Sequence, residues 1–387
     1  MKLATVLILG MCTGSLTGYA LAVLAPHLIG EFGLSKTAFG ALSTAMFLVA
    51  ALVSPLAGRL TDLFGGKSIL ISTFVFFSGG VVILAAAQSF AWLIGAMLLG
   101  GVALATTNPA TNHLLASRTA GNQQGWMAGI KQSGGQISAV VAALFLPWAA
   151  SLLGWRGAAF LMVPFAALGL IITWRWLPRK STRVPVGRFG DAESGRKVRA
   201  LLPRSIWWLS AYSLAMASGA GAVLFYIPLY MYEEFAVSAA VAGSATGAVG
   251  VVGTAARILW GPMSQRFSSV SFPLGVLASL GGVSICLMWI APASGIGFWW
   301  LGIVIYGMSA AAWPTVSMLG VINLAGRHQT GQASGVVLVA SLLGVIVSPV
   351  MFGYAADATG SYSVGWAGVL VLFGLATVIS WRWPAHE

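Results

Sequence analysis

Residues 58–67 read Gly58-Arg59-Leu60-Thr61-Asp62-Leu63-Phe64-Gly65-Gly66-Lys67, between two apolar runs near 38–58 and 68–88. Three glycines and three charges in ten residues make a short polar turn. Each flanking run holds about 20 residues, which as helix crosses ~30 Å of hydrocarbon. The stretch therefore reads as a loop between two membrane spans. The same scan, carried outward, finds twelve apolar runs. The first six lie near 3–26, 38–58, 68–88, 91–115, 122–150 and 157–177. The second six lie near 205–231, 238–262, 270–292, 296–323, 331–354 and 363–383. The runs are continuously apolar, which selects helices over barrel strands of ~10 alternating residues. The run from Leu3 to Ala25 is too long for a signal-peptide core and reads as a retained span.

Composition agrees. The 387 residues are 58% hydrophobic and only 7% charged, against ~25% charged in a soluble domain. Twenty-eight charged side chains cannot cover a soluble surface of this size. A soluble enzyme, a nucleic-acid-binding protein and a disordered chain are excluded. The net charge of +12 is concentrated: nine basic residues lie between Arg175 and Arg204. Beside a membrane, such a segment is a topology signal and a contact for lipid headgroups, not a nucleic-acid site.

With the N-terminus inside, the inner segments hold sixteen basic residues and the outer ones only Lys36 and Arg156. The positive-inside rule then places both termini in the cytoplasm. Four of the eight acids, Glu31, Glu233, Glu234 and Asp357, fall on the outer side. The expected organisation is a six-span bundle over 1–177, a basic cytoplasmic linker over 178–204 and a second six-span bundle over 205–387. A short surface helix near Glu193–Leu201 is expected within the linker.

The halves look like repeats. Gly58 and Gly261 open similar loops 203 residues apart. Asn108-Pro109 in span four corresponds to Trp313-Pro314 in span ten at an offset of 205. Gly125-x-x-x-Gly129 and Gly331-x-x-x-Gly335 stand at an offset of 206. Three landmarks near one offset argue duplication. Internal repetition marks secondary transporters, whose sites lie at the interface between the repeats.

Twelve spans in two halves, with the 58–67 loop between spans two and three, resemble the major facilitator superfamily. The resemblance implies an all-α fold of two pseudo-symmetric six-helix bundles and transport by alternating access. It implies that Gly58, Asp62, Gly65 and Lys67, with Arg266 in the second copy, form a cytoplasmic latch. Gln265 replaces the acid in that second copy. The other reading of Asp62 is a solvated loop carboxylate. Residues 129–135, Gly-Ile-Lys-Gln-Ser-Gly-Gly, with Leu146-Pro147 and Gly154-Trp155-Arg156, are similar to the bacterial cyanate and nitroimidazole branch. Arg257-Ile-Leu-Trp-Gly261 and Asp357-Ala-Thr-Gly-Ser-Tyr362 are similar to the monocarboxylate and oxalate branch. There the resemblance implies that an arginine at the position of Arg257 contacts a substrate carboxylate. Gly253 stands where monocarboxylate transporters carry an acid. Pro26-His27 matches their outer Pro-basic pair in character. Tyr19, Tyr226, Tyr230 and Trp313 are cavity candidates by the same resemblance.

Two charges lie inside spans, Lys131 in span five and Arg257 in span eight. A charge there costs several kcal/mol and faces a cavity or a partner. Lys131 is about nine residues from the inner helix end, ~14 Å at 1.5 Å per residue, near the midplane. It reads as a substrate or counter-ion site, or as a partner of helix dipoles. Arg257 faces the cavity or snorkels to the inner surface. No acid lies clearly within any span, so a cavity holding Lys131 attracts anions and repels cations. Asn108 and Asn112 share one face of span four, as Gln132 and Gln136 share one of span five. Each pair is interhelical glue or substrate recognition. His27 carries protons or merely faces water, and His113 reads as interfacial. Trp174, Trp176, Trp207, Trp299 and Trp381 are expected in the interfacial belts. Cys12 and Cys286 read as small buried hydrophobes, and Pro109 and Pro314 as breaks in spans four and ten.

No catalytic constellation, cofactor motif or metal-ligand spacing is present. The reading is a monomeric secondary transporter of the bacterial inner membrane for a small carboxylate-like anion. Protons or a counter-anion are its candidate coupling partners. The alternatives are a drug or hydrophobic-metabolite exporter and a membrane sensor.

Overall fold

A computed structural model describes residues 2–119, 121–178, 202–267 and 269–383, with side chains at 121–126 and 326–331 left out. The linker helix expected near 193–201 lies outside the described residues. Thirteen helices and no strand are found among the described residues. They are α1 (Lys2–Val23), α2 (Ala25–Phe32), α3 (Lys36–Phe64), α4 (Gly66–Ala85), α5 (Phe90–Arg118), α6 (Gly121–Phe160), α7 (Met162–Trp176), α8 (Arg204–Phe235), α9 (Ala239–Ser264), α10 (Ser271–Ser294), α11 (Ile296–Met308), α12 (Trp313–Thr359) and α13 (Ser363–Trp381).

Eleven helical stretches are long and apolar enough to cross a membrane. With the shorter Met162–Trp176, they account for the twelve expected runs. Spans five and six meet inside α6, where Gly154, at φ +70°, leaves the helical region. A side chain at that φ would be strained, so the chain turns there and span six begins before α7.

Contacts group the chain into two compact units. One comprises Met1–Val184 and Leu224–Gly250, the other Pro185–Val223 and Val251–Glu387. In the first, α1 is the most enclosed helix, with 78% of its span buried against 33–50% for α3, α4, α5 and the α6 span. A helix apolar all round suits such a position. Lipid offers no hydrophobic drive between helices, so close backbone approach holds them together. Gly134 of α6 shows how close. A Cβ there would stand 2.6 Å from the Ile8 carbonyl oxygen and 2.8 Å from Met11 Cβ, both on α1.

Two expected breaks turn out differently. Pro109 lies inside α5, which continues unbroken to Arg118. Pro109 removes one helical bond, to the Ala105 carbonyl, and membrane helices tolerate that loss. The hydroxyls of Thr106, Thr107 and Thr111 are all turned back onto carbonyls of the preceding turn, at 3.0, 2.7 and 2.7 Å. Span ten does break: α11 ends at Met308 and α12 restarts at Trp313 with Pro314 in its first turn. The freed carbonyls are claimed from α9. Trp260 Nε1 donates to Met308 O at 2.9 Å and Arg257 Nε to Ala311 O at 3.0 Å.

Two readings of burial are corrected. Trp299 is fully buried rather than interfacial, whereas Trp174, Trp176, Trp207 and Trp381 are exposed. Cys12 is buried but Cys286 is exposed on α10. Lipid and protein core are equally apolar, so hydropathy alone does not tell which faces which.

The charges expected on the outer side form local clamps. Both bases assigned to that side find acids assigned to the same side. Lys36 Nζ lies 3.1 Å from Glu233 Oε2. Arg156 pairs with Glu31, donates to Ala87 O at 2.7 Å and stacks 4.5 Å over the Trp155 ring. Trp155 Nε1 donates to the second oxygen of Glu31. These donors hold the Glu31 carboxyl below its ordinary range.

Candidate functional site

Lys131 lies on the stripe of α6 that carries Gly134 and Ser138, buried together three and four residues apart. The close α1–α6 contact at Gly134 leaves no room for solvent beside it. Lys131 is accordingly only 4% exposed. Its ammonium reaches across to α5 and donates to Asn108 Oδ1 at 3.2 Å and to Asn112 Oδ1. The i, i+4 spacing sets both amides on one face of α5. Two ion pairs occur among the described residues, Lys36–Glu233 and Arg156–Glu31, and neither involves Lys131. The buried cation is thus solvated by neutral dipoles and stays uncancelled by any described carboxylate. In a low dielectric such a charge projects a positive field. Asn108, Asn112 and the neighbouring Gln132 are exposed, and Gln136 is buried.

The other sequence candidates are placed as follows. Tyr19 is half-buried on α1. Tyr226 is fully buried: its hydroxyl donates to Lys36 O at 2.6 Å and its ring packs edge-on against Phe39. Tyr230 is buried on the same helix. Trp313 is buried at the start of α12 and meets the Tyr212 ring edge-on at 6.3 Å. Arg257 belongs to the second unit, half-buried, with its Nε given to the span-ten break.

Of the latch residues, Gly58 lies within α3, and Gly65 separates α3 from α4. Asp62 is exposed and forms no ion pair among the described residues. Lys67 turns away from it and donates to Trp174 O at 2.8 Å and to Leu177 O, capping α7. A cation suits a helix C-terminus, where the carbonyl dipoles converge. His113 Nδ1 accepts from the Gly66 amide at 3.3 Å. Lys67, His113 and Arg118 line a cleft of about 220 Å³. Arg266 is exposed just beyond α9. His328 has no described side chain, and His386 lies outside the described residues.

His27, on α2, is half-buried, and burial lowers its pKa from the ordinary 6.5. The folded chain thus disfavours the imidazolium. As pH falls below about 6.5, the unfolded chain takes up a proton that the folded chain resists, so stability is lost. His27→Gln is expected to flatten that acid-side fall in melting temperature. Thermal scans between pH 7 and 5 check this.

Sequence reasoning missed the clamp on Glu31 and the two outer ion pairs. The signal was available, because two lone bases and four acids were assigned to one side. The Tyr226–Lys36 bond left no such signal, since its acceptor is a backbone carbonyl.

The family model of the Major Facilitator Superfamily matches residues 6–349. The 2-nitroimidazole transporter of Escherichia coli (strain K12) is 25% identical, over 88% of this chain and 84% of its own. Human monocarboxylate transporter 11 is 26% identical, over 94% and 79%. Multidrug resistance protein 1 of Bacillus subtilis (strain 168) is 22% identical, over 93% and 91%. The crystal structure of a bacterial homologue of the human lysosomal transporter Spinster superposes with a TM-score of 0.80 at 18% identity, covering 98% of this chain and 97% of that one.

Proposed function

The chain belongs to the Major Facilitator Superfamily, so it is a multi-pass membrane transporter and not an enzyme, and from that premise we propose that it moves a small organic anion. The carrying observation is Lys131, a buried ammonium held by two amides with no described acid beside it. In a membrane interior this arrangement favours a ligand that supplies the missing negative charge. A monocarboxylate transporter among the relatives supports the same class. The reading places a secondary transporter in a bacterial inner membrane, with both termini cytoplasmic and alternating access as its mechanism. Arg257, four residues before Gly261, is a second basic contact in this reading, and His27 stands near the outer gate. Asp62 and Lys67 belong to the inner latch.

Flux into sealed proteoliposomes tests this. Labelled acetate, lactate or benzoate is expected to accumulate and to be displaced by other carboxylates but not by tetraethylammonium. An imposed pH gradient separates proton coupling from anion exchange. A second reading, a drug exporter, is favoured by the multidrug relative. In that case tetraethylammonium or a neutral hydrophobic dye would be carried and the carboxylates would not.

A further inference from the structure

The anion reading leaves open which atoms touch the ligand, and Lys131 is poorly placed to do so. It is 4% exposed, whereas Asn108 and Asn112 are exposed in front of it. Lysine has only donors, so both amides must turn their Oδ1 atoms toward it. In a planar amide the Nδ2 group then points the other way. Neither Nδ2 has a hydrogen-bond partner among the described residues. Four N–H donors are thus aimed outward from one face of α5. Four residues of helix separate the two amides by ~6 Å along the axis. An oxyanion with two or more oxygens, accepting at ~2.9 Å from each side, spans that gap. Unsatisfied amides facing hydrocarbon would cost several kcal/mol, so this face meets water or a ligand.

We propose that Asn108 and Asn112 are the direct contacts of the anion, that the ligand's head is a carboxylate or sulfonate, and that Lys131 is a positioning residue acting through them. This rests on the anion-transport reading and deepens it. Lys131 does two things from behind the amides. It fixes their orientation so that donors and not acceptors face outward, and its charge biases the face toward anions. The arrangement also explains why a charge can sit inside a span without a carboxylate. An acid there would attract the ammonium and turn the donor face into a neutral one.

The test uses the sulfonate reagent as its own probe, so it does not depend on knowing the substrate. In a chain with Cys12→Ala and Cys286→Ser, Asn112→Cys and Asn108→Cys are introduced singly. Each is treated with the anionic sulfonatoethyl and the cationic trimethylammonioethyl methanethiosulfonates. Both cysteines are expected to react. The anionic reagent should be favoured about tenfold over its ratio on free cysteine, the size expected for one charge ~6 Å away across water, where attraction of one reagent and repulsion of the other add. Lys131→Gln should remove that bias and Lys131→Arg should keep it. The ratio reports the field that Lys131 sets at the amides, and the benzoate measurements report whether a ligand uses it. Unreactive cysteines, or a ratio indifferent to Lys131, would overturn the proposal. In the chain with its asparagines intact, Asn108→Ala and Asn112→Ala should each weaken benzoate binding about tenfold, the loss of one amide contact to a charge. Asn112→Asp should abolish binding by pairing with Lys131. Unchanged benzoate affinity in both alanine variants also contradicts the proposal. If benzoate, acetate and lactate all fail to bind the unaltered chain while the reagent bias is present, the transport reading fails and the donor face stands.

Discussion

Lys131→Gln is expected to weaken anion binding about a hundredfold while leaving the melting temperature unchanged or raised. The ammonium sits one amide behind the ligand, ~6 Å away. At an effective dielectric of ~20, a charge at that distance is worth about 3 kcal/mol. Each 1.4 kcal/mol is tenfold in affinity, so the field alone accounts for the expected loss. Disordering the two amides adds to it. Stability moves the other way, because a buried charge costs desolvation that neutral dipoles only partly repay. Glutamine removes that cost and can still donate to the asparagines. Lost binding at unchanged or higher stability distinguishes a functional residue from a structural one. The measurement is isothermal titration with benzoate beside a thermal scan of the same preparation. A fall in melting temperature with affinity intact would make Lys131 a strut between α5 and α6.

Gly134→Val is expected to damage the first unit severely. Even a lone Cβ would press to 2.6 Å on the Ile8 carbonyl oxygen, an atom of helical backbone that cannot rotate away. Overpacking of this kind costs ~1–3 kcal/mol in well-packed cores, and valine adds two methyls beyond the alanine contact. The helices must separate, and Lys131, one turn away, moves with α6. Thermal unfolding in detergent should show a large loss of stability together with a loss of benzoate binding. Gly129→Ala is the control. It lies two residues from Lys131 with open space at its Cβ, and alanine is favoured over glycine in a helix by up to ~1 kcal/mol. That variant should melt at the same temperature or higher.

What could be read in advance follows from what lipid demands. Twelve continuous apolar runs and a lone intramembrane lysine stand out because water is absent and every charge is conspicuous. The pairing of Asn108 with Asn112 was legible from their spacing, but the lysine that orients them is 23 and 19 residues away on another helix. Its amide partners follow from tertiary packing. Which apolar face meets lipid left no trace in hydropathy, so Trp299 and Cys286 exchanged their expected environments. Proline carries a similar ambiguity. Pro109 and Pro314 occupy equivalent places in the repeat, yet one helix continues and the other breaks. At the break, Arg257 and Trp260 supply donors from α9 to the freed carbonyls, and no local rule foretells those partners.

The uncancelled charge at Lys131 is tested most directly by ligand pairs of one shape and opposite charge. Benzoate with benzamidinium, and acetate with acetamidinium, are titrated against the purified chain and followed by thermal unfolding. The account predicts saturable stabilisation by an anion of one or both pairs, none by its cationic counterpart, and loss of the anion's effect in Lys131→Gln. Stabilisation by the cations, or an anion effect that survives the removal of Lys131, would contradict it.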